Sequence, residues 1–293
     1  MSFMSIAALL LGLPIFVQTS SGSAGMILAL SGKATLQRGT SQTNPRLAEL
    51  LQTGDRIRVE SGNLTLLFCP TSERIVLSTG TSIELQANGV RVVGGAQPAR
   101  ESTKCALPQV ALGKESLERI GAVRGRGNPP IALFTGGPLT AVRPVFEWAP
   151  VAGSPSYELT VKNSDDDILW KQQTSEAKIA YPANIAALAP GSYSWELLAK
   201  ADGKVVGQQM ANFDVKPAPE LSAGNTKDAG AMLIEATALE NAGYFSEAAA
   251  YFRELQKLDV SDVRIGRRLA WLYWNAGLVT ATSEQLQRLP KQE

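Results

Sequence analysis

Between Gly25 and Gly95 the apolar positions come in short bursts, interrupted roughly every eight to ten residues by Gly, Ser, Thr or Pro clusters. The bursts are Met26 to Leu30, Ile57 with Val59, Leu64/Leu66/Phe68, Ile75 to Leu77, Ile83 with Leu85, and Val90 to Val93. Lys33, Thr35 and Gln37 alternate with Ala34 and Leu36, and Ile57 and Val59 alternate with Arg56 and Arg58. A period of two sends successive side chains to opposite faces of a strand, so this region predicts a small, mostly antiparallel β domain over 25–96. Ser31-Gly32 and Gly54-Asp55 read as its turns, and the polar run Gly39 to Arg46 as a loop. Residues 97–140 read as a linker, with Gln97 to Lys104 polar and exposed and one short helix over Leu112 to Ile120.

A second alternating region spans 141–216. Phe146 and Trp148 are followed by Tyr157/Leu159/Val161, Ile168 to Lys171, Ala177 to Tyr181, Gly191 to Leu198 and Met210 to Val215. That many short strands in so short a stretch predict a β-sandwich, with Trp148, Tyr157, Tyr193 and Trp195 in its core. After a linker over 217–227 the period changes to that of helices, through residues 228–290. Helices are expected over Ala231 to Ala242, Ser246 to Leu258 with Ser246 as N-cap, Val263 to Asn275, and Thr280 to Leu289. Ala236 and Ala270, Leu239 and Tyr273, Asn241 and Asn275, Ala242 and Ala276, and Gly243 and Gly277 are each 34 positions apart. A repeat of that length is two short helices whose small residues allow close packing and whose Gly permits the turn.

Composition then narrows function. Lys plus Arg is 28 and Asp plus Glu is 27, so no global field draws nucleic acid. The chain has no histidine, which removes Ser-His and Cys-His nucleophiles and His-ligated zinc. No paired-carboxylate motif or Gly-rich phosphate loop stands in their place, and the chain reads as a non-enzyme with no catalytic residue, cofactor or metal. Residues 1–24 carry no charged side chain, and Ile6 to Val17 is an apolar run too short to span a bilayer comfortably. With small residues at Gly22 and Ala24 this reads as a signal peptide; a buried first element or a retained anchor is the alternative. Export makes Cys69 and Cys105 a candidate disulfide, against two unrelated thiols.

Three family resemblances follow from these residues. The segment Leu51-x-x-Gly-Asp-x-Ile57, with the Leu64/Leu66/Phe68 strand and Thr81-x-Ile-x-Leu85, resembles the FecR-like domain of exported bacterial proteins. Pro70 to Glu73 stands where that family usually carries an Asp-Gly-Ser type turn. The cytoplasmic segment through which its iron-transport regulators bind a sigma factor has no counterpart, so that signalling role is not implied. Phe146-x-Trp148, Tyr157-x-Leu-x-Val161 and Leu188-x-Pro-Gly-x-Tyr-x-Trp195 resemble a fibronectin type III or immunoglobulin-like domain. Ala236, Gly243, Ala248 and Phe252, with Ala270 and Gly277, resemble the tetratricopeptide repeat, although Thr282 and Asp259-Val260 depart from its pattern.

The resemblances imply an exported, periplasmic scaffold or adaptor of the bacterial envelope that binds a protein partner through its helices. Trp271, Tyr273 and Trp274 are the candidate contacts, because neighbours on a helix diverge by about 100° and cannot all face one core, so that one of them is exposed; the alternative is that all three are buried between the helices and the sandwich. The alternative is a cell-wall or surface-glycan binding protein acting through the β domains, with Trp170 as the aromatic platform. Asp165-Asp-Asp167 reads as a hairpin tip rather than a calcium loop. Arg119, Arg124 and Arg126 read as a solvated hinge, or else as a patch for a polyanion.

Overall fold

The computed structural model describes residues 23–108, 112, 131–153, 156–217, 228–259 and 262–290. The apolar N-terminal run, the arginines at 119, 124 and 126, the helix expected over 112–120 (Leu112 apart) and nearly all of the 217–227 linker lie outside these residues. What is described is a β-rich chain with a helical C-terminus: three sheets followed by four α-helices.

The first sheet contains β1 (Gly25–Arg38), β2 (Ser41–Thr43), β3 (Leu50–Leu51), β4 (Arg56–Phe68), β5 (Glu73–Ser78), β6 (Ser82–Gln86), β7 (Gly89–Gly94) and β8 (Ala99–Ser102). Its main path is β2-β1-β4-β5-β8, with β3 on β1, β6 on β4 and β7 on β6. β1 and β4 pair antiparallel from Gly25↔Phe68 to Gln37↔Arg56. The expected turn at Ser31-Gly32 is therefore the middle of one long strand. Gly32 faces Gly62 there, at φ +82° and +77°. A Cβ on Gly62 would lie 2.1 Å from the Ser31 carbonyl oxygen, so only two glycines let the strands meet and bend. The bend brings Ile27, Leu66 and Ile75 from one half into one core with Leu36, Ile57 and Ile83 from the other.

The Gly54-Asp55 turn is held from inside. The buried Asp55 carboxylate accepts from Arg38 Nε and Nη2 at 2.9 and 2.7 Å and from the Gln52 N–H at 2.8 Å. Residues 99–102, expected as exposed linker, are exposed but form edge strand β8 against β5. Just beyond it Cys105 is disulfide-bonded to Cys69, with their Cα atoms 5.2 Å apart.

The second β region has β9 (Gly137–Leu139), β10 (Val145–Glu147), β11 (Ser156–Asn163), β12 (Ile168–Thr174), β13 (Lys178–Ala180), β14 (Gly191–Ala201) and β15 (Lys204–Val215). Five of them form a sheet in the order β12-β11-β14-β15-β9, and β10 pairs with β13 in a separate layer. The layers share an aromatic core: Phe146 lies 5.1 Å from Trp195 and 5.6 Å from Phe213, and Trp148 5.2 Å from Tyr157. This region starts about ten residues earlier than its aromatic pattern suggests. Ile131 to Leu133 are buried, Leu133 bridges to Trp148, and β9 runs parallel to β15. Tyr193 is half-buried rather than core; it stacks on Phe213, and its hydroxyl donates to the Ala189 carbonyl at 2.8 Å.

On the outer sheet face, Lys171 and then Lys200, each 2.9 Å away, hold the Glu158 carboxyl down to about 2. A carboxyl lowered by folding stabilises above its unfolded range and loses that contribution as pH falls toward its folded value. Glu158→Gln is expected to cost about 0.5–1 kcal/mol at pH 6 and almost nothing near pH 2, by urea denaturation at each pH. An equal cost at both would show that the two lysines contribute nothing.

The helices are α1 (Ala229–Asn241), α2 (Phe245–Leu258), α3 (Val263–Asn275) and α4 (Val279–Arg288). α1 and α3 start 34 residues apart, as do α2 and α4. The turns repeat bond for bond: Tyr244 N–H donates to Leu239 O at 2.9 Å and Leu278 N–H to Tyr273 O at 2.8 Å, past Gly243 and Gly277 at φ +85° and +75°. Asp228 and Asp262 cap α1 and α3 through their carboxylates. Ser246 is not a cap, because the tight turn lets α2 begin at Phe245. Its hydroxyl instead donates to the Gly136 carbonyl at 2.6 Å.

Both β regions flank these hairpins. α1 lies on β1, where a Cβ on Gly230 would come within 2.8 Å of Leu28 Cβ, and Arg74 pairs with Asp228 at 2.8 Å. α2 lies on β9, where the Glu247 carboxylate accepts from the Thr140 N–H and hydroxyl at 3.0 Å. Burial pushes that carboxyl up even so. Tyr273 meets Phe134 at 5.7 Å, and Arg253 sits over the Phe134 ring and bonds Glu147. One apolar cluster thus runs from Met26, Leu28 and Leu67 through the helices into the second β region.

Candidate partner-binding face

Helical periodicity places Ile265, Leu269, Leu272 and Tyr273 of α3 inward and Arg264, Arg267, Trp271, Trp274 and Asn275 on the opposite stripe. Of the three aromatic candidates, Trp274 is 39% exposed. Trp271 is half-buried, edge-on to Phe245 at 5.7 Å, with the Arg268 guanidinium 5.5 Å from its ring centre. Tyr273 is 2% exposed and packs into the core, so it offers no surface to a partner. The triplet is therefore split: one residue is inside, one on the rim and one in solvent.

The same stripe one repeat earlier is Gly230, Leu233, Thr237, Glu240 and Asn241. The first four are buried. Leu28 of β1 covers the Gly230 end, and at the other end the Asn241 amide donates to the Leu107 carbonyl at 3.0 Å. The stripe of the first hairpin is thus occupied by the chain's own residues, whereas its counterpart on α3 is open. Arg268 of α3 bonds Glu240 of the α1 stripe at 3.2 Å, with side chains 1% and 5% exposed.

At its N-terminal end α3 borders two adjoining clefts that share Arg46 and Arg264. One, of about 670 Å³, is lined by Leu30, Leu47, Leu258 and Val263 together with Asp259 and Asp262. The other, of about 700 Å³, is bordered by Gln42, Thr43, Asn44 and Glu49. Leu258 is 67% exposed on the floor. Burial raises the Asp262 carboxyl, but two hydrogen bonds from the Arg264 side chain outweigh it, and Arg46 adds to the lowering. Sequence reasoning missed this cleft. Its walls, Arg46 and Arg264, lie far apart in the chain, and nothing local links them.

The remaining candidates are structural. Trp170 packs against Phe146 and Tyr181 at 6.2 and 5.4 Å, so it forms no open platform. Asp165 to Asp167 form the β11–β12 hairpin tip, where Asn163 Oδ1 accepts from the Asp165 and Asp167 N–H groups. Among the described residues no group of three or more Cys, Asp or Glu is arranged to hold a metal, and no helix is long and apolar enough to cross a membrane.

No protein-family profile matches the chain, and no curated protein matches it. Among solved structures, an FMN-binding β-glucuronidase from Facaelibacterium prausnitzii L2-6 aligns over 66% of this chain at 11% identity and a TM-score of 0.23. The chain spans 40% of that structure, and a likeness this distant carries no functional argument.

Proposed function

We propose that the protein is a non-catalytic scaffold or adaptor of the bacterial cell envelope that binds a protein partner through its C-terminal helices. The observation that carries this reading is the contrast between the equivalent stripes: covered on α1, open on α3 with Trp271 and Trp274. Exposed tryptophan beside arginine is the composition of binding hot spots, and both residue types are enriched there. The FecR-like, fibronectin type III-like and tetratricopeptide-like readings belong to the same proposal. The 34-residue offset of the helices supports the last of them. The Tyr193 hydroxyl reaching back four residues supports the second, since immunoglobulin-type sandwiches carry such a tyrosine corner. An oxidised Cys69–Cys105 pair fits the exported location. The glycan-binding alternative draws no support from Trp170.

The test is photocrosslinking in intact cells, with p-benzoylphenylalanine at position 274 or, as control, at exposed position 168 of β12. A protein adduct from 274 and none from 168 is expected. No adduct from 274, or the same adducts from both, would remove the helical face as the binding site.

A further inference from the structure

Asn241 and Asn275 end the equivalent stripes of α1 and α3, and both are exposed. On α1 the structure shows what such an asparagine holds. Its amide donates at 3.0 Å to the Leu107 carbonyl, in the run Ala106-Leu107-Pro108, which is neither helix nor strand. Proline keeps the residue before it out of the helical region, so Leu107 is held extended, and it brings no N–H of its own that must be met. Ala106 and Leu107 are half-buried against the apolar cluster that contains Leu233 and Leu239 of α1, and Pro108 is buried. The chain thus lays an extended Leu-Pro segment at the C-terminal end of α1 and fixes its backbone with one side-chain amide.

The α3 stripe repeats the asparagine and changes its neighbours. Asn275 donates to the Trp271 carbonyl one turn back at 2.8 Å. An amide carries two N–H groups, so this bond leaves one for a ligand. Where α1 has Thr237 and Glu240, both buried, α3 has Trp271 half-buried and Trp274 exposed. Indole faces are the surface on which extended, proline-containing segments dock. At the other end the stripes differ: Arg264 stands where Gly230 admits Leu28, so the comparison covers the C-terminal half alone.

We propose that the C-terminal half of the α3 stripe binds an extended Leu-Pro segment of the partner protein, laid as Ala106 to Pro108 lie at α1. The carbonyl before the proline accepts from the Asn275 amide, and the leucine and proline cover Trp271 and Trp274. This rests on the adaptor reading and names the chemistry of the partner. A helix commits its carbonyls to its own bonds, so an extended segment is the form that can offer one to Asn275.

The test uses the full-length chain and a fluorescent hexapeptide that copies residues 103–108 with serine for Lys104 and Cys105. It is titrated by anisotropy beside a scrambled peptide of the same composition. The copy is expected to bind and the scrambled peptide not. Trp274→Ala is expected to weaken the copy about tenfold, and Asn275→Ala about three- to tenfold. Asn241→Ala is expected to leave it unchanged, because that amide is engaged by the chain's own segment. Thermal melting checks that each variant is folded, and Trp274→Ala, at an exposed position, serves as the arm if Asn275→Ala is not. No binding of the copy up to about 1 mM, equal binding of the scrambled peptide, or equal losses in Asn241→Ala and Asn275→Ala would overturn the proposal. An adduct from position 274 together with no binding of the copy would leave the adaptor reading standing and dismiss this chemistry alone.

Discussion

Replacement of Arg268 by alanine is expected to lower the stability of the protein by about 3–5 kcal/mol, because it removes a cation bonded to the buried Glu240 carboxylate. The pair joins α1 to α3 at 3.2 Å with almost no access to water, so solvent does little to compensate either group. Attraction between two such charges barely offsets their desolvation while both are present, which makes the loss of one worse than the loss of both. Arg268→Met combined with Glu240→Leu is therefore expected to recover most of the stability lost in Arg268→Ala. Urea denaturation of the two single replacements and the double one forms the cycle that checks this. If the double variant is no more stable than Arg268→Ala, the single-variant loss comes from packing rather than from a stranded charge. Since the Arg268 guanidinium lies over the Trp271 ring, Arg268→Ala also loosens the rim of the proposed binding face, and the double variant does not restore that contact.

The same residue shows how far the sequence reaches. Arg267 and Arg268 are neighbours of one type, but Ile265 and Leu272, three before and four after Arg268, mark the buried stripe. The helical period puts Arg268 on that buried stripe, although the sequence reading did not single it out. What it did not contain is Glu240, whose position opposite Arg268 follows from the packing of α1 against α3, not from any local pattern. The helical hairpins themselves were legible because a 34-residue repetition is a local signal stated twice. The β errors share the opposite cause. Ser31-Gly32 carries the residue types of a turn, and only the partner glycine at 62, across the sheet, makes it a bend within a strand. β9 is Gly-Pro-Leu, three residues with no strand character of their own; they become a strand because β15 supplies parallel partners. β8 is polar and exposed throughout and is defined by β5 alone. Tyr273 and Trp274 have similar side chains and adjacent positions, and what separates them is Phe134 of the second β region, which takes the former into the core.

Loss of the Cys69–Cys105 bridge is the second large effect to expect. The cysteines are 36 residues apart, and a bridge over that length restricts the unfolded chain by about 4 kcal/mol. At about 2–4 °C per kcal/mol, Cys105→Ser is expected to lower the Tm by roughly 8–16 °C. The enclosed segment runs from β5 through β8, and β8 is the part least able to stand alone: four exposed residues on a sheet edge. Amide exchange at Ala99 to Ser102 is accordingly expected to rise far more than exchange in the paired centres of β1 and β4. The effect extends to the helices, because Leu107, two residues past the bridge, accepts the Asn241 hydrogen bond at the covered end of α1. Releasing residue 105 frees that carbonyl to leave, and the C-terminal turn of α1 is expected to exchange faster as well. Hydrogen–deuterium exchange of the oxidised protein, the reduced protein and Cys105→Ser measures all three segments together. A reduced protein that keeps its Tm, with β8 and α1 still protected, would mean that pairing with β5 and packing on α1 hold this segment without the bridge.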